Sequence, residues 1–170
     1  MANFQDLTLK LLKQIDMAAE TLNNLSAEAD QYRPVLLQVA RGDLPLADRY
    51  MRKNAISLLG IVADESCIDD LGDLLHHERI DYRANAIRSL GQINSPRAAQ
   101  RLNQQLNNAN TSLTEGKLIV ESLVNIDAVN SAEEVRRFRG RLHRAKRKGP
   151  ELTRELQKID RAVRSMEQRD

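Results

Sequence analysis

A chain of 170 residues, 41% hydrophobic and 29% charged, lies in the range of a folded domain large enough to bury a core. Three Tyr, two Phe and no Trp argue against long antiparallel sheets and against ligand sites built on aromatic stacking. One cysteine, Cys67, excludes an intramolecular disulfide and a cysteine-rich zinc centre, and the formal net charge is only +2.

The first stretch, MANFQDLTLKLLKQID, carries acids and glutamine through its apolar run, so it reads neither as a signal peptide nor as a spanning helix. The expectation is a cytoplasmic protein without membrane contact. Phe4, Leu7, Leu11, Ile15, Ala18, Leu22 and Leu25 fall on one stripe and predict a single long amphipathic helix. Val35, Leu36, Leu37 and Val39, between Pro34 and Gly42, predict another helix.

A repeat follows. Residues 52–60 read RKNAISLLG and residues 83–91 read RANAIRSLG, an offset of 31 that carries Arg52 onto Arg83, Asn54 onto Asn85, Ile56 onto Ile87 and Gly60 onto Gly91. Beyond the nonapeptide, Val62 falls on Ile93, Leu71 on Leu102 and Leu75 on Leu106. Each unit therefore reads as two helices. Gly60 and Gly91 are expected to end the first helix, and Ser66 and Ser95 to cap the second, with Pro96 at its first turn. A degenerate third unit places Leu118, Ile119, Ser122, Leu123 and Ile126 on its first helix. Its second helix covers about 131–147, with Val135, Phe138, Leu142 and Ala145 inward. After Gly149-Pro150 a last helix carries Leu152, Leu156, Ile159, Val163 and Met166 in a heptad-like seam. That seam suits either a cap folded back on the last repeat or a homodimer formed through 152–166.

The string R-x-N-A-I-x-x-L-G, a turn, and apolar residues three or four apart resemble the HEAT-like repeat of the phycobilisome-lyase type. The resemblance is close over 50–108, fair over 112–142 and topological over 1–42. It implies an all-α fold, a short right-handed α-solenoid of antiparallel helix pairs with atypical N- and C-terminal capping helices, whose second helices line a partner-binding face. The units are then 1–148 for the solenoid (clearest repeats 50–78 and 81–109, degenerate repeat 112–148) and 149–170 for the terminal capping or dimerisation helix. The same repeat serves scaffolds, lyases, hydroxylases and nucleic-acid enzymes, so it names an architecture rather than an activity.

Few residues invite chemistry. Arg52 and Arg83 can be read as an anion-binding ladder, or as locks that bond the preceding turn's carbonyls or an acid in the neighbouring unit and hold repeat to repeat; the second reading is favoured, with Asp81 as a possible local partner for Arg83. Asp73 and His77 share a helix face and could hold a metal, but His76 points about 100° away from His77, and acids early with histidines late suit a helix dipole without any ion. Iron-dependent hydroxylases built on such repeats place His-Glu pairs where this chain has Asn54-Ala55 and Asn85-Ala86. Cys67 matches Ala98 in the next unit, which argues for packing over a reactive thiol. No catalytic constellation, cofactor site or metal site is assigned.

Charge placement is the strongest feature outside the repeats. Residues 1–135 hold 13 Lys/Arg against 19 Asp/Glu, whereas 136–148, RRFRGRLHRAKRK, holds eight Lys/Arg and no acid. Arg136, Arg137, Arg139, Arg141, Arg144, Lys146, Arg147 and Lys148 are the candidate partner-binding residues. Three uses compete: a nucleic-acid phosphate backbone, an acidic protein surface, or a solvated and intramolecular face. The scarcity of aromatics weakens the first. The leading functional expectation is a non-catalytic protein–protein interaction module or scaffold. Nucleic-acid association and a chromophore-lyase-like role are the alternatives.

Overall fold

A computed structural model describes residues 4–14, 19–62, 64–126, 128–144 and 150–168. Among them every regular element is helical. The order is α1 (Phe4–Leu12), α2 (Ala19–Ala27), α3 (Ala29–Arg41), α4 (Arg49–Val62), α5 (Ile68–Leu74), α6 (Ile80–Leu90), α7 (Pro96–Asn107), α8 (Leu113–Asn125), α9 (Ala132–Arg144) and α10 (Pro150–Glu167). The chain forms two compact units, Met1–Ile93 and Asn94–Asp170.

In the first unit α4 packs against both α3 and α6, and α5 against α6. The repeated apolar positions make this core: Leu36, Ile56, Leu59, Ile68, Leu71, Ile87 and Leu90 are almost wholly buried. Polar bonds hold the faces at a fixed height. Buried Ser89 donates to the Ile56 carbonyl at 2.7 Å, and the Tyr82 hydroxyl to the Arg49 carbonyl at 3.1 Å. In the second unit α7 packs against α8 and α9, and α10 folds onto α8 and α9. Leu102, Leu106, Ile119, Leu123, Val135, Phe138 and Ile159 fill the space between them.

Local structure departs from the sequence reading at several places. Gly60 does not end its helix, since α4 continues to Val62. A Cβ at Gly60 would stand 3.0 Å from the Ser89 Cα, so the glycine serves the close approach of α4 and α6. Gly91 does follow the end of α6, donating to the Ile87 carbonyl at 3.0 Å. The capping side chain here is Asp64 rather than Ser66, and it caps the 3-10 turn Glu65–Cys67 that leads into α5: its carboxylate accepts from the Ser66 amide at 2.9 Å and the Ser66 hydroxyl at 2.5 Å, which holds the carboxyl below its usual range. Ser95 caps α7 as its sequence suggests, accepting from the Arg97 amide at 3.2 Å.

The N-terminal stripe is carried by two helices instead of one. α1 stops at Leu12, where Asn54 Nδ2 donates to the Leu12 carbonyl at 2.9 Å and satisfies an acceptor left open at the helix end. Of the stripe's residues, Ile15 and Ala18 lie outside the described residues. Pro34 lies inside α3, which begins five residues earlier at Ala29. α3 closes at Gly42, whose φ of +89° is left-handed, with Gly42 and Asp43 amides both bonding back to the Gln38 carbonyl.

Gly116 on α8 has a stricter reason to be glycine. A Cβ there would fall 1.9 Å from the tip of the Phe138 ring, itself buried in the unit. At an open helical position Gly→Ala would stabilise by about 1 kcal/mol. Here the substitution Gly116→Ala is expected to destabilise by about 1–3 kcal/mol through overpacking, read as a lower urea midpoint at unchanged m-value. Combining it with Phe138→Leu should recover part of the loss.

Candidate functional site

Each described arginine of the basic block has a definite place on α9. Phe138 is buried, with Leu142 partly so, which turns the arginines outward. Arg139 pairs with Asp160 of α10 through two nitrogens, and the carboxylate raises the guanidinium's pKa. Arg136 pairs with Glu167 and, at 3.6 Å, with Glu133; Arg137 also pairs with Glu133, at 3.2 Å. Arg144 is exposed. Lys146, Arg147, Lys148 and Ala145 lie outside the described residues.

Arg141 is placed differently. It reaches from α9 to the end of α7 and donates to the carbonyls of Leu106 and Asn107, the latter at 3.2 Å, while its guanidinium lies 5.5 Å over the Phe138 ring. Arg52 and Arg83 likewise reach backbone carbonyls. Arg52 donates to the Ala40 carbonyl at 2.7 Å and the Arg41 carbonyl at 2.9 Å, at the C-terminus of α3. Arg83 donates to the His77 and Glu78 carbonyls at 2.8 and 2.9 Å, just past α5. At Arg52 and Arg141 the cation meets both the unpaired carbonyls and the negative end of a helix, whereas Arg83 holds the turn between α5 and α6. Asp81 forms its ion pair with Arg79, at 2.9 Å.

The other chemically suggestive side chains are occupied by packing. His77 Nδ1 accepts from the Arg79 amide at 3.1 Å, and its ring lies 4.8 Å from that of Tyr82. Among the described residues no group of three or more His, Cys, Asp or Glu is placed to hold a metal ion. Cys67 is fully buried, and burial pushes its thiol up, away from the reactive thiolate. On α10, Ile159, Val163 and Met166 are buried in the unit, and Leu152 and Leu156 are partly exposed.

What the arginine pattern does not announce is a groove between α7 and the start of α9, with a volume of about 600 Å³. The outer face of α7 supplies Gln100, Asn103, Gln104 and Asn107, spaced three, four and seven residues apart on one stripe. Asn130, Ser131 and Glu134 face them from the turn and first turn of α9. Asn103 Nδ2 donates to Ser131 Oγ at 2.8 Å and ties the two walls together. Asn103 Oδ1 and Glu134 Oε2 are shielded from solvent without a hydrogen-bond partner.

A family model described as HEAT repeats matches residues 33–120, a little over half of the chain. The chain belongs to the HEAT-repeat family. No curated protein matches it. The match is to HEAT repeats as such and does not carry the lyase designation that the nonapeptide resembles. It runs from α3 into α8, the segment whose helices carry Arg52 and Arg83. The groove's α7 wall lies inside the HEAT match and its α9 wall beyond it. Its only signal in the sequence was an amide stripe on the polar face of a strongly amphipathic helix.

Two outcomes follow for this HEAT protein. Arg141→Gln should lower stability by about 1–2 kcal/mol, because two carbonyls and a helix end lose their cation, whereas Arg144→Gln should stay within about 0.5 kcal/mol; urea unfolding separates them. In the second, Glu155 is buried on α10 and bonds Lys117 at 2.9 Å and Lys158 at 3.1 Å. Lys117 first and Lys158 second hold its carboxyl below the usual range. A depressed folded-state pKa contributes stability above the unfolded carboxyl's pKa and loses it as pH falls through the folded value. Melting temperature should therefore fall on acidification, and Glu155→Gln should flatten that part of the profile.

Proposed function

We propose that the chain is a non-catalytic protein–protein interaction module, a scaffold that holds a protein partner on its helical surface. The observation that carries this reading is the open, amide-lined groove beside α7. HEAT repeats commonly mediate protein–protein interaction, and the groove offers both donors and acceptors without a strong field of one sign. The side chains with chemical potential are engaged elsewhere: His77 on Tyr82, Cys67 in the core, and Arg52, Arg83 and Arg141 on backbone carbonyls.

The basic helix supplies a second contact region in this reading. Arg136, Arg137 and Arg144 are exposed, and exposed ion pairs such as Arg137 with Glu133 exchange partners at little cost. They suit the acidic rim of a protein partner. A nucleic acid would call on Arg139 and Arg141 as well, and both are engaged within the fold. A single cysteine and the absence, among the described residues, of any helix long and apolar enough to cross a membrane fit action in the cytoplasm.

The test is affinity capture from lysate of the source organism on the immobilised full chain, followed by quantitative mass spectrometry. One or a few proteins retained near stoichiometry after nuclease treatment is the expected result, weakened by Arg137→Glu with Arg144→Glu. Recovery that vanishes with nuclease would replace the reading with nucleic-acid association. Substrate turnover by the purified chain with no protein retained would replace it with an enzymatic one.

A further inference from the structure

We propose that Glu134 and Asn103 form the receptor for a basic side chain, an arginine or lysine carried by the bound protein partner, in the groove between α7 and α9. This deepens the interaction-module reading and rests on it.

The chain contains its own control. The sequence Ser-x-x-Glu occurs at the start of two helices in the same unit. At Ser112 and Glu115 it closes a complete capping box: the Glu115 amide donates to Ser112 Oγ at 3.2 Å, and Glu115 Oε2 accepts from the Ser112 amide at 3.2 Å and hydroxyl at 2.7 Å. At Ser131 and Glu134 the reciprocal bonds go elsewhere. The Ser131 amide donates to the Ala128 carbonyl at 2.9 Å, and the Ser131 hydroxyl accepts from Asn103. Glu134 stands outside any such box: the residue is partly exposed along the groove, and its Oε2 is shielded with no donor.

A shielded carboxylate oxygen without a donor is a costly arrangement, and Asn103 Oδ1 beside the same groove adds a second unfilled acceptor. Among the described residues lining the groove none is cationic. A carboxylate only accepts, so a ligand must bring donors whichever way the Asn103 amide is turned. A guanidinium brings five and an ammonium three, with the charge that Glu134 lacks a counterpart for. Gln100, Gln104 and Asn107 along the same wall can meet the peptide groups on either side of that cation, and about 600 Å³ admits a side chain with its flanking backbone.

The experiment uses the full chain, uniformly labelled with 15N, and two probes: acetyl-Ala-Ala-Arg-Ala-Ala-amide and its citrulline counterpart, which keeps the shape and loses the charge. The arginine peptide should shift the Asn103, Gln100 and Gln104 side-chain amide signals and the Ser131–Glu134 backbone signals, and the citrulline peptide should not. Glu134→Gln should weaken arginine-peptide binding by about tenfold, the scale of one charge-assisted bond, without lowering the melting temperature. Asn103→Asp, whose carboxylate can accept from the Ser131 hydroxyl and still face the groove, should tighten it. Shifts confined to the acidic stretch Asp69–Asp73, equal shifts with both peptides, or a Glu134→Gln variant that binds unchanged and melts lower would overturn the proposal. A lysate partner captured equally by wild type and Glu134→Gln would also remove this groove while leaving the interaction role standing.

Discussion

The constraint on which the rest depends is the open end of a short helix. A chain of helices joined by short turns must end each one in a crowded place, with up to four backbone carbonyls unpaired and a partial negative charge concentrated there. This protein answers with an arginine from another helix. Arg52 covers the end of α3 and Arg141 the end of α7, while Arg83 ties down the turn that follows α5, each bonding two carbonyls. A forked, always-charged guanidinium suits two adjacent oxygens in a way that a single ammonium does not. The lock also sets its surroundings. Gly42 must turn left-handed beside Arg52, and a Cβ there would come within 3.0 Å of the guanidinium. Arg52 also lies 5.2 Å over the Tyr82 ring, which Arg79, the partner of Asp81, approaches at the same distance.

The same device changes the meaning of the basic block. By composition, residues 136–148 are a cationic patch facing an acidic body, and the natural inference is a binding site for a polyanion. By geometry, Arg141 completes the series begun by Arg52 and Arg83. α8 carries Thr114 where the 31-residue register would place the next arginine, and the following helix reaches across to do the work instead. Arg139 is equally committed, to Asp160 on α10. Net charge along a sequence counts side chains without asking which are already paired, and here the pairing lies 21 to 35 residues away.

That distance separates what was legible from what was not. The helical class and the 31-residue unit are written in local spacing, because helix periodicity and repetition leave marks within a dozen residues. Gly60 was misread because a glycine that ends a helix and one that admits a neighbouring backbone look identical until Ser89 is placed against it. The carbonyl at the end of α1 is met by Asn54, 42 residues on, and the cap at Asp64 depends on a competition with Ser66 that composition alone leaves even. Glu134 was invisible for the sharpest reason: its local pattern predicts a capping box, and only Asn103 from the other wall undoes it.

That undone box says something about how the site is built. Asparagine is a poor helix residue, yet α7 keeps Asn103 in its body and Asn107 at its end, with Gln100 and Gln104 filling the same stripe where charged residues would favour solubility and form stabilising pairs along the helix. Asn103 then diverts Ser131 from capping α9, and Glu134 is left with an unsatisfied, shielded oxygen. Three local preferences are set aside within one groove, while the neighbouring helix α8 obeys the capping rule to the last bond. Departures from local consistency that cluster in space, and that all leave hydrogen-bonding capacity open, fit a surface shaped for something other than its own fold. The arginine locks supply the converse case: there every departure, from Gly42 to Arg141, ends in a satisfied bond. The shielded, unpartnered atoms among the described residues also include Asn85 Nδ2 and Gln105 Oε1, and what sets Asn103 and Glu134 apart is that both line one open groove, where a partner's donors would complete them.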